Sequence, residues 1–572
     1  LKLTGTHKCN KKGGIKIMLF TADFETTTDP LDCRVWACGI CSVDETHSFK
    51  YGNSLEWFIE FAKNNTGSTF YFHNLKFDGE FILCYLFEHD YKHVTDRKKL
   101  KTKTFTTLIS DKGQFYSLEI CFNKDETKTE KITIYDSLKI LPFSVEAIAK
   151  GFNLPISKLE IDYDKKREIG HILTPQEIDY LRNDVEIMSR ALLTLFNQDL
   201  RQMTQGSNAL YDYKKIVGKK NFSKWFPIPD YDFDVRQSYK GGFTYCDPRK
   251  QGQDIGAGIV LDVNSLYPSV MYHKPLPYGE GIFFEGKYKP DKLYNLYVQM
   301  FTCQFELKEN YIPTIQLKNN LSFMPTAYLS SSEDEEVTMC LTSVDLDLFF
   351  EHYHVYNITY HSGWKFKSTT GLFKEYIDKW NAVKMESTLN GNKAMRTLAK
   401  LMLNALYGKF ALNPNVQSKI PYYDNGLIKY TLGDKETRNP IYIPVGTFIT
   451  AWARHKTITS AQKVYDRFLY ADTDSLHLIG TEIPKGLEVD PVKLGAWKHE
   501  STFTRARFVR QKTYIEEIDG ELNITCAGMP SRCYKNVTWN NFIAGSSFEG
   551  KLQFTHVQGG IVLKDIDFTI KP

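Results

Sequence analysis

The apolar run Gly258-Ile-Val-Leu ends on Asp262, and Phe468-Leu-Tyr-Ala runs into Asp472-Thr-Asp474 before the chain turns apolar again at Leu476. An unpaired carboxylate is costly to bury, so a chain with acids at the ends of core strands must fold in a way that compensates them. The second run reads as a hairpin with two carboxylates at its tip. Turns also favour Asp on their own account. For that hairpin alone a plain turn and a functional tip are equally good readings, and Asp262 can likewise cap the turn after it. Beyond Asp262 the segment closes on Tyr267-Pro268.

A second group of acids lies near the N-terminus. Ile17 to Glu25 alternates so that Leu19, Thr21, Asp23 and Glu25 share one face of a strand. By itself such a pair is ordinarily a solvated strand face. Thr69 to Phe72 predicts another strand, running into a loop with His73, Asn74, Phe77 and Asp78. Thr174-Pro-Gln-Glu177 predicts a capping box with Pro at the first helical position. Ile178, Leu181, Val185, Met188 and Leu192 then form an apolar stripe, and Tyr180 and Asp184, one turn apart, share a face. Asp23, Glu25, Asp78 and Asp184 are hard oxygen donors suited to two Mg²⁺ ions, or Mn²⁺ in their place, about 3.5–4 Å apart. Tyr180 is placed to orient an attacking water, and His73, Asn74 and Phe77 to grip a terminal sugar and stack on a base.

Between the two acid-bearing strands, Arg396 to Tyr407 predicts an amphipathic helix. Arg396, Lys400, Asn404 and Tyr407 gather on one face, opposite Leu398, Leu401, Met402, Ala405 and Leu406, and Gly408 is placed to stop it. A solvated face is the commonest fate of this pattern. With two Mg²⁺ held by Asp262 and Asp474 and a further catalytic acid, Asp472, close by, it instead suits phosphoryl transfer, Arg396 and Lys400 neutralising a triphosphate.

The chain has 572 residues, so about three to five domains are expected. A formal charge of +4 with 42% hydrophobic residues excludes a disordered chain or a polybasic coat protein. The longest charge-free run, Asn439 to Ala453, contains polar residues and Pro, which argues against a membrane span. The eleven Cys are thinly spread and fit reduced thiols. Cys38 and Cys41 lack a second zinc-ligand pair and read as buried and unligated. Residues 1–17 have no apolar signal-peptide core and are expected to be a flexible lead-in, with Met18 a possible start.

The stretches DFET, NLKFD and YLRND resemble the three exonuclease motifs of proofreading domains. DVNSLYP, KLMLNALYG and YADTDS resemble motifs A, B and C of family B DNA polymerases. Tyr239-Lys-Gly-Gly242 and Lys512-Thr-Tyr514 resemble that family's YxGG and KxY motifs. With CRVWA, SLKILPF, FKSTTGLFKEYIDKW and ITAWAR, the chain is most similar to the protein-primed polymerases of small Bacillus phages with linear, terminal-protein-linked genomes.

That resemblance implies an α/β multidomain fold: an RNase H-like 3′–5′ exonuclease domain (18–204), then a right-hand polymerase with two terminal-protein-region insertions. Its parts would be palm (205–272 and 439–526), a first insertion (273–375), fingers (376–412), a second insertion forming a hairpin for processivity and strand displacement (413–438), and thumb (527–572). It further implies a metal ligand in the Val263 carbonyl, a sugar-sensing Tyr267, and Tyr407 in the nucleotide pocket. By matching position it implies Lys158 as a basic exonuclease residue, Glu160 as a further metal donor, and Lys384 as a phosphate contact. DNA contacts would come from Thr26, Ser137, Leu138, Tyr163, Tyr239, Gly241, Gly242, Lys512 and Tyr514.

The implied partners are a terminal protein as primer, template-primer and single-stranded DNA, dNTPs and a phage single-stranded-DNA-binding protein, in the host bacterial cytoplasm. Departures from the family are a longer stretch between Met385 and Lys393, a shorter region after Tyr514, and Arg396 where Lys is familiar. A nuclease with a decayed polymerase half, or a non-catalytic DNA-binding scaffold, are the competing readings. Both are disfavoured by the acids and cations present at every motif. The near-neutral total conceals local charge: nine basic against three acidic residues from Lys365 to Lys409, and five against one from Lys498 to Lys512.

Overall fold

The structure is a computed structural model that describes residues 18–163, 165–317, 324 and 327–571; the expected lead-in 1–17 lies outside them. At the N-terminal end, eight strands form one mixed sheet. Leu19–Thr26 lies inside it, antiparallel to Val35–Ser42 and parallel to Thr69–Phe72, which is parallel in turn to Thr129–Asp136. Side chains alternate across this sheet. Phe24 packs on one face against Phe58 and Phe72. On the other face the Thr21 hydroxyl donates to the Val185 carbonyl at 2.7 Å, fixing the helix Pro175–Asn197 over Asp23 and Glu25. The capping box opens that helix as expected, and Arg167 and His171 also bind Glu177.

A central five-stranded sheet has the order Trp497–Phe503, Gly258–Val263, Ser475–Ile479, Phe468–Asp472, Thr244–Cys246. The helix Ile443–Lys463 packs against it, buried over most of its length. Within this helix Arg454 forms a bidentate pair with Asp345 and donates 2.8 Å bonds to the carbonyls of Lys240 and Gly241. Residues 276–369 contribute a separate four-stranded sheet. The helices Lys374–Leu389 and Lys393–Ala405 follow as a packed pair, the second capped by Asn392. Asn415–Asp424 and Leu427–Thr437 form a hairpin, as do Ser547–Val557 and Gly560–Thr569 at the C-terminal end. Among the described residues no helix is long and apolar enough to cross a membrane.

Three local expectations are corrected. Phe77 and Asp78 lie not in a loop but in the first turn of the helix Leu75–Glu88, which starts at once because Asn74 adopts the left-handed conformation (φ 74°). Tyr267-Pro268 does not close a segment. It opens the helix Leu266–His273, where a Pro in the first turn forfeits no intrahelical bond. Gly408 is not a terminator: Tyr407–Phe410 is a short further helix, and Gly408 lies within it without a positive φ.

Candidate active sites

Oxygen atoms of Asp23, Glu25 and Asp184 lie within 4.8 Å of one another. Asp78 adjoins them and accepts the Phe24 amide at 3.2 Å. Burial, then the charge of Asp184, pushes the Asp23 carboxyl up to about 7. Burial, then Asp23, raises Glu25 and Asp78, and burial raises Asp184. Asp184 Oδ1 is buried with no hydrogen-bond partner among the described residues. Crowded acids that repel one another, with an orphaned oxygen among them, fit a divalent cation. Lys158 is the one ammonium paired with this group among the described residues. It meets Asp184 Oδ2 and lies 3.3 Å from the Tyr180 hydroxyl. Burial works most strongly against its proton, but the charge and hydrogen bond of Asp184 with the charges of Asp23 and Tyr163 together raise its pKa. The Tyr163 hydroxyl bonds that of Tyr180 at 2.7 Å. Glu160, expected among the metal donors, is exposed and outside the group: the irregular segment around it turns Lys158 and Tyr163 to the acids and leaves Glu160 at the surface.

These groups line a cleft of about 600 Å³ together with Thr26, His73, Asn74 and Phe77. His73 is not free to grip a sugar, because its ring nitrogens engage Ser137 Oγ (3.1 Å) and the Phe143 carbonyl (2.7 Å). Ser137 is buried and donates to the Phe72 carbonyl, while Leu138 is half-buried; neither lines the cleft. The opposite wall is the C-terminal hairpin, through Leu552, Phe554, Leu563 and Asp565. No local pattern ties those residues to Asp23.

In the second site Asp262 sits between two neighbouring strands, opposite Ser475 on one and Lys498 on the other. Thr473 takes a left-handed conformation (φ 58°) in the tight turn after Asp472. The Asp474 carbonyl accepts the Val263 amide at 2.7 Å, which clamps the turn beside Asp262. Burial, then Asp262, pushes the Asp474 carboxyl up to about 6. Burial also raises Asp262, against Lys498 at 3.4 Å. Lys498 went unassigned in the sequence; the basic tract around it was its only signal.

Asp472 does not join the pair. Lys512 Nζ holds both its oxygens at 2.7 and 2.8 Å, and Thr244 donates to it at 3.0 Å. The Lys512 amide in turn donates to the Tyr470 hydroxyl, and Tyr514 packs among Tyr470, His477 and Phe508.

Lys384, Arg396 and Lys400 converge from the helix pair. Burial, then Lys400 and Arg396, lowers Lys384, and burial, then Arg396, lowers Lys400, with Lys498 close enough to add to both. Cations that depress one another form a site for polyvalent anions. Asn404 is exposed on the same helix. Tyr407 stacks on Tyr267, ring centroids 3.9 Å apart and 17° from parallel. Tyr239 is half-buried and Gly241 exposed. A Cβ on Gly242 would lie 2.6 Å from Thr473 Oγ1, so only glycine lets this backbone meet the 472–474 turn. The Arg454 bonds to the two preceding carbonyls hold it there.

Residues 60–490 match the family described as DNA polymerase type B, organellar and viral. The chain is 48% identical to the DNA polymerase of Bacillus phage M2 and 48% to that of Bacillus phage phi29, in each case over 97% of this chain and 99% of the relative. The solved structure of Phi29 DNA polymerase complexed with primer-template DNA and incoming nucleotide substrates superimposes with a TM-score of 0.92 at 47% identity, covering 97% of this chain and 100% of that one.

Proposed function

This chain belongs to the type B DNA polymerases, organellar and viral, and is a DNA-directed DNA polymerase; on that premise we propose that its two acid clusters divide synthesis from proofreading. The observation that carries the reading is the Asp262–Asp474 pair, served by Lys384, Arg396 and Lys400 and by the stacked Tyr267 and Tyr407.

In synthesis, Asp262, Asp474 and the Val263 carbonyl would hold two Mg²⁺ ions. Those ions, when bound, activate the attacking hydroxyl and stabilise the leaving pyrophosphate. Lys384, Arg396 and Lys400 bind the triphosphate and neutralise its charge, fixing the α-phosphorus in line with the attacking hydroxyl. Tyr267, backed by Tyr407, forms the floor under the sugar and excludes a ribose 2′-OH by contact. Lys512, parked on Asp472, is available to a primer phosphate. The attacking hydroxyl belongs first to a terminal protein and then to the primer 3′ end. The M2 and phi29 polymerases at 48% identity support this reading.

In proofreading, Asp23, Glu25, Asp78 and Asp184 would hold the metal pair, Tyr180 orients the water, and Lys158 holds Asp184 and Tyr180 in register. Phe77, Asn74, Thr26 and Tyr163 are placed to hold a frayed 3′ strand. The segments 18–204, 205–272 with 439–526, 376–412 and 527–572 would serve as exonuclease, palm, fingers and thumb. The four-stranded sheet within 273–375 would receive terminal protein, and the hairpin within 413–438 would retain DNA and part the strands ahead.

Extension and degradation of a primed template with Mg²⁺ test this. Asp474→Ala should abolish extension and keep degradation, and Asp23→Ala with Asp78→Ala should do the reverse. Loss of both activities in either variant contradicts two separate sites. Labelled dATP with a candidate terminal protein should give a covalent protein–nucleotide adduct; extension of DNA primers alone would confine the enzyme to DNA priming.

A further inference from the structure

A groove of about 570 Å³ runs along the seam between the edge of the N-terminal sheet and the hairpin strand Asn415–Asp424, and it shares no lining residue with the cleft around Asp23. Phe87, Lys92, Lys99, Pro421 and Tyr422 line it. The hairpin is fixed there by a bond from the Asp111 amide to the Gln417 carbonyl at 2.9 Å, and by the ring of Tyr423 stacked on Phe87 at 5.9 Å. Its neighbour Tyr422 is 42% exposed.

From Lys92 to Lys103 the chain carries six Lys or Arg and a single acid, Asp96. Asp96 is engaged as the cap of the short helix Arg97–Lys99, accepting the Lys98 amide. Arg97 pairs with Glu119, and Lys103 donates to the His89 carbonyl. The ammonium groups of Lys92, Lys98, Lys99 and Lys101 have no ion-pair partner among the described residues. Of the acids nearby, Glu88 accepts from Tyr423, Asp424 pairs with Lys429, and Asp90 is exposed two residues before Lys92, one carboxylate against the four lysines. Burial lowers His93 to about 4, so it adds no charge.

Uncompensated ammonium groups beside the exposed ring of Tyr422 in a concave strip are the chemistry of single-stranded nucleic acid: phosphates on the cations, a base on the ring. We propose that this groove carries the displaced strand while the enzyme copies a template that is still base-paired ahead of it. The proposal rests on the reading above that the chain polymerises DNA and that the 415–437 hairpin parts the strands. A strand lifted by that hairpin meets Pro421 and Tyr422 on it, and the lysines across the seam.

The test compares wild type, the triple variant Lys92→Glu/Lys98→Glu/Lys99→Glu, and Tyr422→Ala. Each copies a primed single-stranded template and the same template with a downstream duplex bearing a 5′ single-stranded flap. Copying of the open template and degradation of a 3′ end should be unchanged in both variants. Extension through the duplex should fall about tenfold in the triple variant, and its salt dependence should flatten by about 2 in log–log slope, about 0.7 for each of three phosphate contacts. A photoreactive base in the flap should cross-link at Tyr422. Equal extension through duplex by all three proteins, or cross-links from the template strand in place of the flap, would overturn the proposal. Wild type that halts at the duplex would overturn it together with the strand-displacing reading, and wild type inert on the open template together with the polymerase reading.

Discussion

Replacing Asp23 by Asn should stabilise the metal-free protein at neutral pH. Burial and Asp184 move the Asp23 carboxyl from 3.8 up to about 7. A carboxyl whose pKa is higher folded than unfolded holds its proton more tightly in the native state. Its contribution to stability is therefore complete below about 3.8 and is lost as pH rises through about 7. At about 1.4 kcal/mol per unit the loss above pH 7 is about 4 kcal/mol. Asp23 is only half-buried on an open cleft, and solvent screening brings the expected gain for Asn to about 2 kcal/mol. Thermal unfolding followed by circular dichroism in EDTA at about pH 7.5 should then show a midpoint about 2 °C above wild type for a chain of 572 residues. The gain should shrink at about pH 5, where wild-type Asp23 is already protonated. It should reverse with saturating Mg²⁺, which stabilises only a site that keeps its ligands. A variant that melts at or below wild type in EDTA, or gains more at the lower pH, refutes the idea that burial of an ionised Asp23 beside Asp184 destabilises this cluster.

At the synthesis site, Asp474 is pushed up to about 6, so protons compete with cations there. The Mg²⁺ concentration giving half-maximal extension should climb as pH falls through about 6 and level off above it; a flat profile argues against Asp474 as a ligand. Tyr267→Val should raise ribonucleotide use relative to deoxyribonucleotide by about 10–200-fold, read as the ratio of kcat/KM values, and an unchanged ratio removes the floor from sugar selection. Arg454→Ala leaves Asp345 buried without its partner and frees the Lys240 and Gly241 carbonyls. It should cost about 3–5 kcal/mol in urea unfolding, and a loss below about 1 kcal/mol would mean that the 239–242 backbone holds itself.

The acid-bearing strands were legible because an apolar run that meets a carboxylate is a sharp local contrast, and the helix Pro175–Asn197 because Thr174, Pro175 and Glu177 form a complete start signal. That Asp472 stands beside the pair was legible from the resemblance, but what holds it apart was not. Their DxD spacing brings the two acids to one tip, yet the left-handed Thr473 and the reach of Lys512 from the turn before Thr513–Ile518 separate their surroundings. Arg454 carried no role in the sequence beyond closing the ITAWAR stretch, since its partners Asp345 and Lys240 are distant in sequence. The C-terminal wall of the Asp23 cleft left no trace for the same reason. His73 was read from its neighbours, whereas the fold spends both its nitrogens on Ser137 and Phe143. Local rules mark where a side chain starts; they do not say which remote atom claims it.

The strand Gly258–Val263 finds both of its neighbours, Ser475–Ile479 and Trp497–Phe503, late in the chain. On a ribosome adding about 5–20 residues per second, the interval between Val263 and Trp497 lasts roughly 10–50 s. Throughout it an apolar strand emerges with both backbone edges unsatisfied, the state most prone to pairing with another nascent chain. The N-terminal sheet has by then been synthesised whole and can close around its own core. Birth of this enzyme is thus ordered, the strands and helix that carry Asp23 and Asp184 made before Asp262 meets its neighbours, and its yield in a cell should depend on whatever shields residues 258–263 until Trp497–Phe503 arrives.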